Sequence, residues 1–256
     1  MTEDIAFTID GQIATITLNR PQKLNAVTPD MADAIRGCAA RCNDDDDVRA
    51  VIVTGAGAKS FCAGSDIREL DAYDTPWQFR NRPDYCDAIR RLRKPTIAAI
   101  NGYAFGGGLE MAMSCDIRIC SSNAQFAAPE VKLGWIGGGG MATFLAHSIG
   151  PSNAALMIMT GDPISAEQAL AWGLVSNVVE SSKLQSHAIA IASTIAARAP
   201  IAAETAKLNL HAAFAVPLEQ AIVYERDLQT ICFATADAAE GRAAFKEKRS
   251  PVFRHR

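Results

Sequence analysis

Three times along this 256-residue chain a short apolar run leads to a glycine turn, and in the last two a helix-forming stretch follows. Val51-Ile52-Val53-Thr54 ends at Gly55. Thr96-Ile97-Ala98-Ala99-Ile100 leads through Asn101-Gly102 and Gly106-Gly107-Gly108 into Leu109–Ser114. Gln125-Phe126 leads to Gly137–Gly140 and a helical run from Met141. An apolar run that is short, unbroken and rich in β-branched side chains reads as a strand covered on both faces, because a strand with one wet face alternates. The repeated unit of strand, glycine turn and helix predicts an α/β chain.

Other segments fill in around this repeat. Ile5, Phe7 and Ile9 alternate up to the turn pair Asp10-Gly11, and Ala14, Ile16 and Leu18 alternate after it, which predicts a hairpin. Thr28-Pro29-Asp30 supplies an N-cap, a proline at the first helical position and an early acid, so a helix should run over about 29–42, with Met31, Ile35, Cys38 and Cys42 on one face. The acidic run 43–47 reads as a solvated turn. Beyond residue 150 the chain becomes Ala-rich. Ser152–Thr160 and Ser165–Gly173 read as short helices, Leu174–Val179 as one more strand, and everything from Ser181 onward as helix. The stretches Asp227–Phe233 and Ala238–Arg249 carry modest apolar faces that need a partner surface. The expected division is a core over 1–195 and a helical carboxyl-terminal region over 196–256.

Composition removes several classes of function. Hydrophobic residues make up 49% and charged residues 21%, which excludes a disordered chain. A net charge of -3 gives no overall field toward nucleic acid or an anionic membrane, so neither is expected as a partner. The seven cysteines are an odd number without a CxxC pair, and read as reduced thiols of a cytoplasm-like compartment. The acidic amino terminus lacks the basic and apolar regions of a signal peptide, and no apolar run reaches the ~18 residues of a membrane span. The expectation is a soluble, cytoplasmic chain. Its four histidines show neither triad nor metal-ligand spacing, and no metal is expected.

The glycine runs invite comparison with nucleotide loops. Gly55-Ala-Gly57-Ala-Lys-Ser60 follows a strand but places serine where the third glycine belongs and continues into Phe61-Cys62-Ala63-Gly64 rather than a helix, so the dinucleotide fingerprint fails. GxxxxGK[ST], GxSxG and HExxH are absent. Gly106-Gly107-Gly108-Leu-Glu110 differs in kind. Three glycines followed at once by a helix either leave backbone N–H groups facing a space kept open by missing Cβ atoms, or allow close packing of helix on strand. Glu110 lies among apolar neighbours just inside that helix, and a buried acid requires a reason. Glu130, in Phe126-Ala-Ala-Pro-Glu130, precedes another glycine-rich helix start, and pairs naturally with it.

Taken together, Phe61-Cys-Ala-Gly-Ser65-Asp66-Ile67, Asn101 through Glu110 with Cys115-Asp116, Phe126-Ala-Ala-Pro-Glu130-Val-Lys-Leu-Gly134 and Glu240-Gly-Arg-Ala-Ala-Phe245-Lys-Glu-Lys248 resemble the enoyl-CoA hydratase/isomerase, or crotonase, family over nearly the whole chain. The resemblance implies a crotonase-like spiral of ββα units with a helical trimerisation region, assembled as a homotrimer or a dimer of trimers. It implies a CoA thioester substrate and no cofactor beyond that CoA. Its oxyanion-hole N–H groups fall on Ser65 and Gly107, and its two catalytic glutamates on Glu110, taken as base, and Glu130, taken as acid. CoA contacts fall on Lys23, Ala26, Ala63, Asp66, Ile67 and Arg68, with Phe245 and Lys248 supplied by a neighbouring subunit. Both glutamates favour hydration of a 2-enoyl-CoA. The alternatives are 3,2-enoyl-CoA isomerisation, dehydration of a hydroxyacyl-CoA of the carnitinyl type, or a non-catalytic binding member. The segment Gly134-Trp135-Ile136-Gly137-Gly-Gly-Gly140 stands where many members carry a proline and a smaller side chain, and Trp135 either narrows the acyl pocket or fills core.

Overall fold

The computed structural model describes residues 2–71 and 73–256. β1 (Ile5–Asp10) and β2 (Ile13–Leu18) form the expected antiparallel hairpin. α1 (Pro29–Asp44) begins where the sequence specifies: the Thr28 side chain accepts from the Met31 N–H, and Met31, Ile35, Cys38 and Cys42 are buried. The helix runs two residues past its predicted end.

From here the chain winds as a spiral, each turn contributing one strand to each of two sheets before a helical segment. The first turn is β3 (Ala50–Gly55), β4 (Ser60–Cys62) and the short helices α2 (Ile67–Leu70), α3 (Pro76–Arg80) and α4 (Tyr85–Arg90). The second is β5 (Thr96–Ile100), β6 (Tyr103–Phe105) and α5 (Gly107–Met113). The third is β7 (Ile117–Ser121), β8 (Gln125–Ala127), a 3₁₀ turn (Pro129–Leu133) and α6 (Met141–Thr160). β9 (Ile164–Ser165), α7 (Ala166–Trp172) and β10 (Asn177–Val179) follow. The six-stranded sheet has the order β1-β2-β3-β5-β7-β10 and is parallel from β2 onward; the four-stranded sheet has the order β4-β6-β8-β9 and is parallel through β8.

This is the ββα spiral implied by the resemblance, and it corrects the simpler unit read from the residues. After Gly55 and Gly102 the chain enters a second strand, not a helix. These strands have three residues each, too few to display alternation. The predicted strand over 174–179 contracts to Asn177–Val179, while Leu174 and Val175 turn into the core. Ser152–Thr160 is the second half of α6, which breaks at Gly150 just before Pro151.

The reading of β3 as doubly covered holds side chain by side chain. Val51 and Val53 join the large core with α1, α4, α5 and α6, whereas Ala50 and Ile52 join Ile97, Ala99 and Ile119 beneath α8 (Leu184–Ala196), packed on Leu184, Ala188 and Ala192. Each fully buried large aliphatic side chain contributes roughly 1.5–3 kcal/mol.

The last helices are α9 (Pro200–Ala215), α10 (Leu218–Phe233) and α11 (Ala236–Glu247). α9 is tied to the spiral by Lys94–Glu204 and Lys207–Asp116 ion pairs, both 2.9 Å, in which the lysines are buried. The final residues return to the spiral, where Arg49 donates to the Phe253 carbonyl at 2.9 Å. α10 buries no residue, and exposes Leu218, Val223, Ile231 and Phe233 beside Leu210 and Phe214 of α9. Among the described residues no helix is long and apolar enough to cross a membrane.

Candidate active site

A cleft of about 890 Å³ opens where the segments leaving β4, β6 and β8 meet. Its first wall is Ala63-Gly64-Ser65. Ser65 forms an isolated parallel bridge with Val27: the Val27 N–H donates to the Gly64 carbonyl and the Asp66 N–H to the Val27 carbonyl, both at 2.8 Å. A parallel bridge of this kind uses the groups flanking Ser65 and turns the Ser65 N–H to the opposite side. That N–H has no acceptor among the described residues.

The second wall is the start of α5. Gly106, at φ 55° and ψ -128°, turns β6 into the helix through a conformation closed to side-chain-bearing residues. Gly107 is then the first helical residue, and its N–H also lacks an acceptor among the described residues. The two readings of the glycine triplet both hold, at different positions. A Cβ on Gly108 would stand 2.0 Å from the Cys62 carbonyl oxygen, so Gly108 serves close packing. Gly106 and Gly107 shape the cleft. Gly64, at φ 96°, approaches Gly107 so closely that a Cβ on it would lie 3.1 Å from the Gly107 nitrogen. Two unpartnered N–H groups on adjoining walls can hold one oxyanion.

Glu110 and Glu130 both line this cleft and are 6% and 9% exposed. Glu110 projects from α5, and its Oε1 accepts from the Gly139 N–H at 2.7 Å and the Met141 N–H at 3.1 Å, at the start of α6. Burial pushes its carboxyl above the ordinary range; those two N–H bonds pull back, and the charges of Glu130 and Asp84 push it up again. Glu130 sits in the 3₁₀ turn behind Pro129, over the Gly106 turn: a Cβ on Gly106 would come 2.9 Å from its Oε1. Its Oε2 is buried with no hydrogen-bond partner among the described residues. Burial raises the Glu130 carboxyl too, against a smaller pull from its own backbone N–H. Two raised carboxyls facing one cleft can share a protonated and an ionised role at neutral pH.

The remaining predicted residues divide into two groups. Ala63 and Ile67 line the cleft. Lys23 and Ala26 lie on the segment paired with it: Ala63 donates to the Leu24 carbonyl at 3.1 Å, and Arg20 joins the Ala26 carbonyl to the Asp66 carboxylate. Asp66 has a structural task here, because its 2.7 Å ion pair with Arg20 holds its carboxyl below the usual range while it also caps α2, which carries Arg68. Phe245, 86% exposed, and Lys248, in a left-handed conformation at the end of α11, do not line the cleft of their own chain. Trp135 is partly exposed on the cleft wall with Leu133 and Ile136, so it does not fill core.

Sequence reasoning missed Tyr85. It opens α4, is 8% exposed, and reaches the cleft beside Gly107, with its hydroxyl 3.2 Å from that of Ser65. A single tyrosine after a polar loop carries no signal of this. It also missed that the glycine-rich start of α6 serves Glu110.

Residues 8–256 match the sequence model of the family described as enoyl-CoA hydratase/isomerase. A probable enoyl-CoA hydratase of Mycobacterium bovis is 42% identical over 257 aligned residues, covering 99% of each chain. A short-chain-enoyl-CoA hydratase of Clostridium acetobutylicum is 41% identical, covering 94% of this chain and 93% of its own. The crystal structure of an enoyl-CoA hydratase from Bacillus anthracis superposes with a TM-score of 0.94 at 34% identity, covering 99% of this chain and all of the other. With its spiral, its paired glutamates and a match over nearly its full length, this chain belongs to the enoyl-CoA hydratase/isomerase family.

Proposed function

We propose that the chain is an enoyl-CoA hydratase, which adds water reversibly across the double bond of a 2-enoyl-CoA to give the 3-hydroxyacyl-CoA, with no cofactor beyond the CoA of the substrate. The observation that carries this reading is the convergence of two buried glutamates and two unpartnered N–H groups on one cleft. The N–H groups of Ser65 and Gly107 bind the thioester oxygen. They draw electron density from the conjugated double bond, make Cβ electrophilic, and stabilise the charge that grows on oxygen as water attacks. Glu110 takes a proton from the water and Glu130 delivers one to Cα. The surroundings support that division. Glu110 is met by two N–H donors that favour its anion, whereas ionised Glu130 would carry a buried oxygen with no donor.

Lys23 and Arg68 contribute charge for the CoA phosphates, while Ala26, Ala63, Asp66 and Ile67 shape the groove. Phe245 and Lys248 complete the CoA site of a neighbouring subunit in a homotrimer or dimer of trimers located in the cytoplasm. The bare apolar faces of α9 and α10 support such an assembly, which light scattering checks.

The deciding experiment presents purified protein with 2-enoyl-CoA thioesters of increasing chain length and follows loss of the enoyl-thioester absorbance. Hydration of at least one member, with 3-hydroxyacyl-CoA as product, is expected. Turnover of 3-enoyl-CoA alone would replace the hydratase reading with an isomerase, and turnover of neither would remove the catalytic reading.

A further inference from the structure

Outside the groups assigned above, one side chain reaches the reacting end of the cleft without a role. The Tyr85 hydroxyl stands 2.0 Å from where a Cβ on Gly107 would be, so it occupies the space that the missing side chain leaves beside the proposed oxyanion donor. Its partner among the described residues is the Ser65 hydroxyl, at 3.2 Å. Ser65 is the residue whose N–H forms the other half of that site, and Ser65, Tyr85 and Gly107 all line the cleft.

The arithmetic of protons gives this pair a direction. Two hydroxyls carry two protons, and their mutual bond uses one, whichever oxygen donates. The other O–H is left over, in a place where burial makes an unused donor costly. We infer that the Ser65 hydroxyl donates to the Tyr85 oxygen and that the Tyr85 O–H is the one left over, presented to the thioester oxygen as a third donor, which makes Tyr85 a catalytic residue of the hydration. The inference rests on the hydratase reading of the cleft.

The surroundings keep the donor in place and neutral. α4 is fixed at its start by the Asp84 carboxylate, which accepts from the Cys86 N–H at 2.7 Å, and Ile89 anchors it in the core. The Cys86 thiol reaches the Gly107 carbonyl at 3.7 Å, tying α4 to the turn that carries the backbone donor. Burial, together with the neighbouring Cys86, Cys62 and Glu110, pushes the Tyr85 phenol well above its ordinary range, so the group stays protonated. It donates a hydrogen bond that shortens as charge builds on oxygen, and no proton leaves it. Glu110 remains the base and Glu130 the acid.

Three variants test the assignment: Tyr85→Phe, Ser65→Ala and the double substitution. Two readouts are used, kcat and KM for the preferred 2-enoyl-CoA, and the absorption band of bound 4-dimethylaminocinnamoyl-CoA, which moves to longer wavelength as the carbonyl is polarised. Wild-type protein should shift the band strongly. Tyr85→Phe should lower kcat by roughly 10- to 100-fold, less than loss of a backbone oxyanion donor, with KM changed little and the band shift reduced. Ser65→Ala should reduce the shift less, and the double variant should resemble Tyr85→Phe, because the hydroxyls act as one unit. A band shift kept at its wild-type size in both single variants overturns the inference even if kcat falls, since that loss would come from packing. Wild-type protein that neither hydrates enoyl-CoA nor shifts the band overturns the hydratase reading and this one together. An active wild type with an unchanged Tyr85→Phe overturns this one alone.

Discussion

The two glutamates are the same residue type, equally buried and on the same cleft, yet they are held by different kinds of structure. Glu110 stands on a regular helix, and its carboxylate is received by two backbone N–H groups at the start of another. Glu130 stands in a 3₁₀ turn, and one of its oxygens is enclosed without a donor. The helix start favours negative charge through its oriented N–H groups, whereas the turn offers its outer oxygen nothing. Burial raises both carboxyls, but the charged form of Glu110 is compensated by two N–H groups of another element, that of Glu130 only by its own backbone N–H. Backbone geometry alone thus sets two glutamates of one cleft in different environments, as the proposed acid and base roles require.

The largest expected effects come from removing the proton-transfer capacity of either glutamate. Glu110→Gln and Glu130→Gln should each lower kcat for 2-enoyl-CoA hydration by roughly 10²- to 10⁴-fold, with fold and CoA affinity retained, as steady-state kinetics and calorimetry will show. The double variant should lose far less than the product of the two losses, because both groups serve the same hydration step. Were the comparison misdrawn and the protein an isomerase, Glu130→Gln would abolish turnover of 3-enoyl-CoA while Glu110→Gln spared most of it.

Much of this site is legible in the sequence because its residues contradict their local context. Glu110 is an acid inside an apolar helix, and the glycines before it interrupt a run that would otherwise pack. Likewise β3 declares its two covered faces by lacking polar alternation. What stays illegible depends on partners far along the chain. β4 is a strand because it pairs with β6, and β6 because it pairs with β4 and β8. The donors to Glu110 lie 29 and 31 residues away, and nothing in Gly139 or Met141 names that acceptor. Tyr85 meets Ser65 across 20 residues of loop and short helix. The division of labour among Gly106, Gly107 and Gly108 follows from which neighbour each one faces, which spacing does not encode.

A smaller change would erode the difference between the glutamates without touching either. A Cβ on Gly139 would lie 2.9 Å from the Glu110 Oε2, closer than real Cβ contacts come, and 3.1 Å from its Cδ, tighter than most. Gly139→Ala should therefore push the carboxylate off the start of α6 and weaken the 2.7 Å bond that favours its anion. The expected loss in kcat is about 10-fold, that of a catalytic group slightly misplaced. The pH profile carries the sharper reading. With a donor weakened, the Glu110 carboxyl rises further, so the acid-side fall of kcat/KM should begin at higher pH than in wild type. A profile that drops uniformly without moving would mean that the Gly139 contact positions Glu110 and does not favour its charge.

The smallest effect concerns stability. Both carboxyls are raised in the folded protein above the ordinary glutamate value of the unfolded chain. The folded state therefore binds these protons more tightly than the unfolded chain. The stability from that preference is fully present below the unfolded pKa and is lost as pH rises through the raised folded values. Above that window each ionised glutamate costs stability, and replacing it by neutral Gln relieves the cost. Thermal unfolding followed by circular dichroism should show Glu130→Gln with a higher Tm than wild type at pH 8, the advantage shrinking to nothing near pH 4. Glu110→Gln should gain less, because the Gly139 and Met141 N–H bonds already compensate part of the charge that it removes. Equal gains would show that burial dominates and that the two environments differ less than their hydrogen bonds imply. A Tm for Glu130→Gln that falls at pH 8 would mean that its buried oxygen meets a donor in solution, and that the turn around it favours the anion after all.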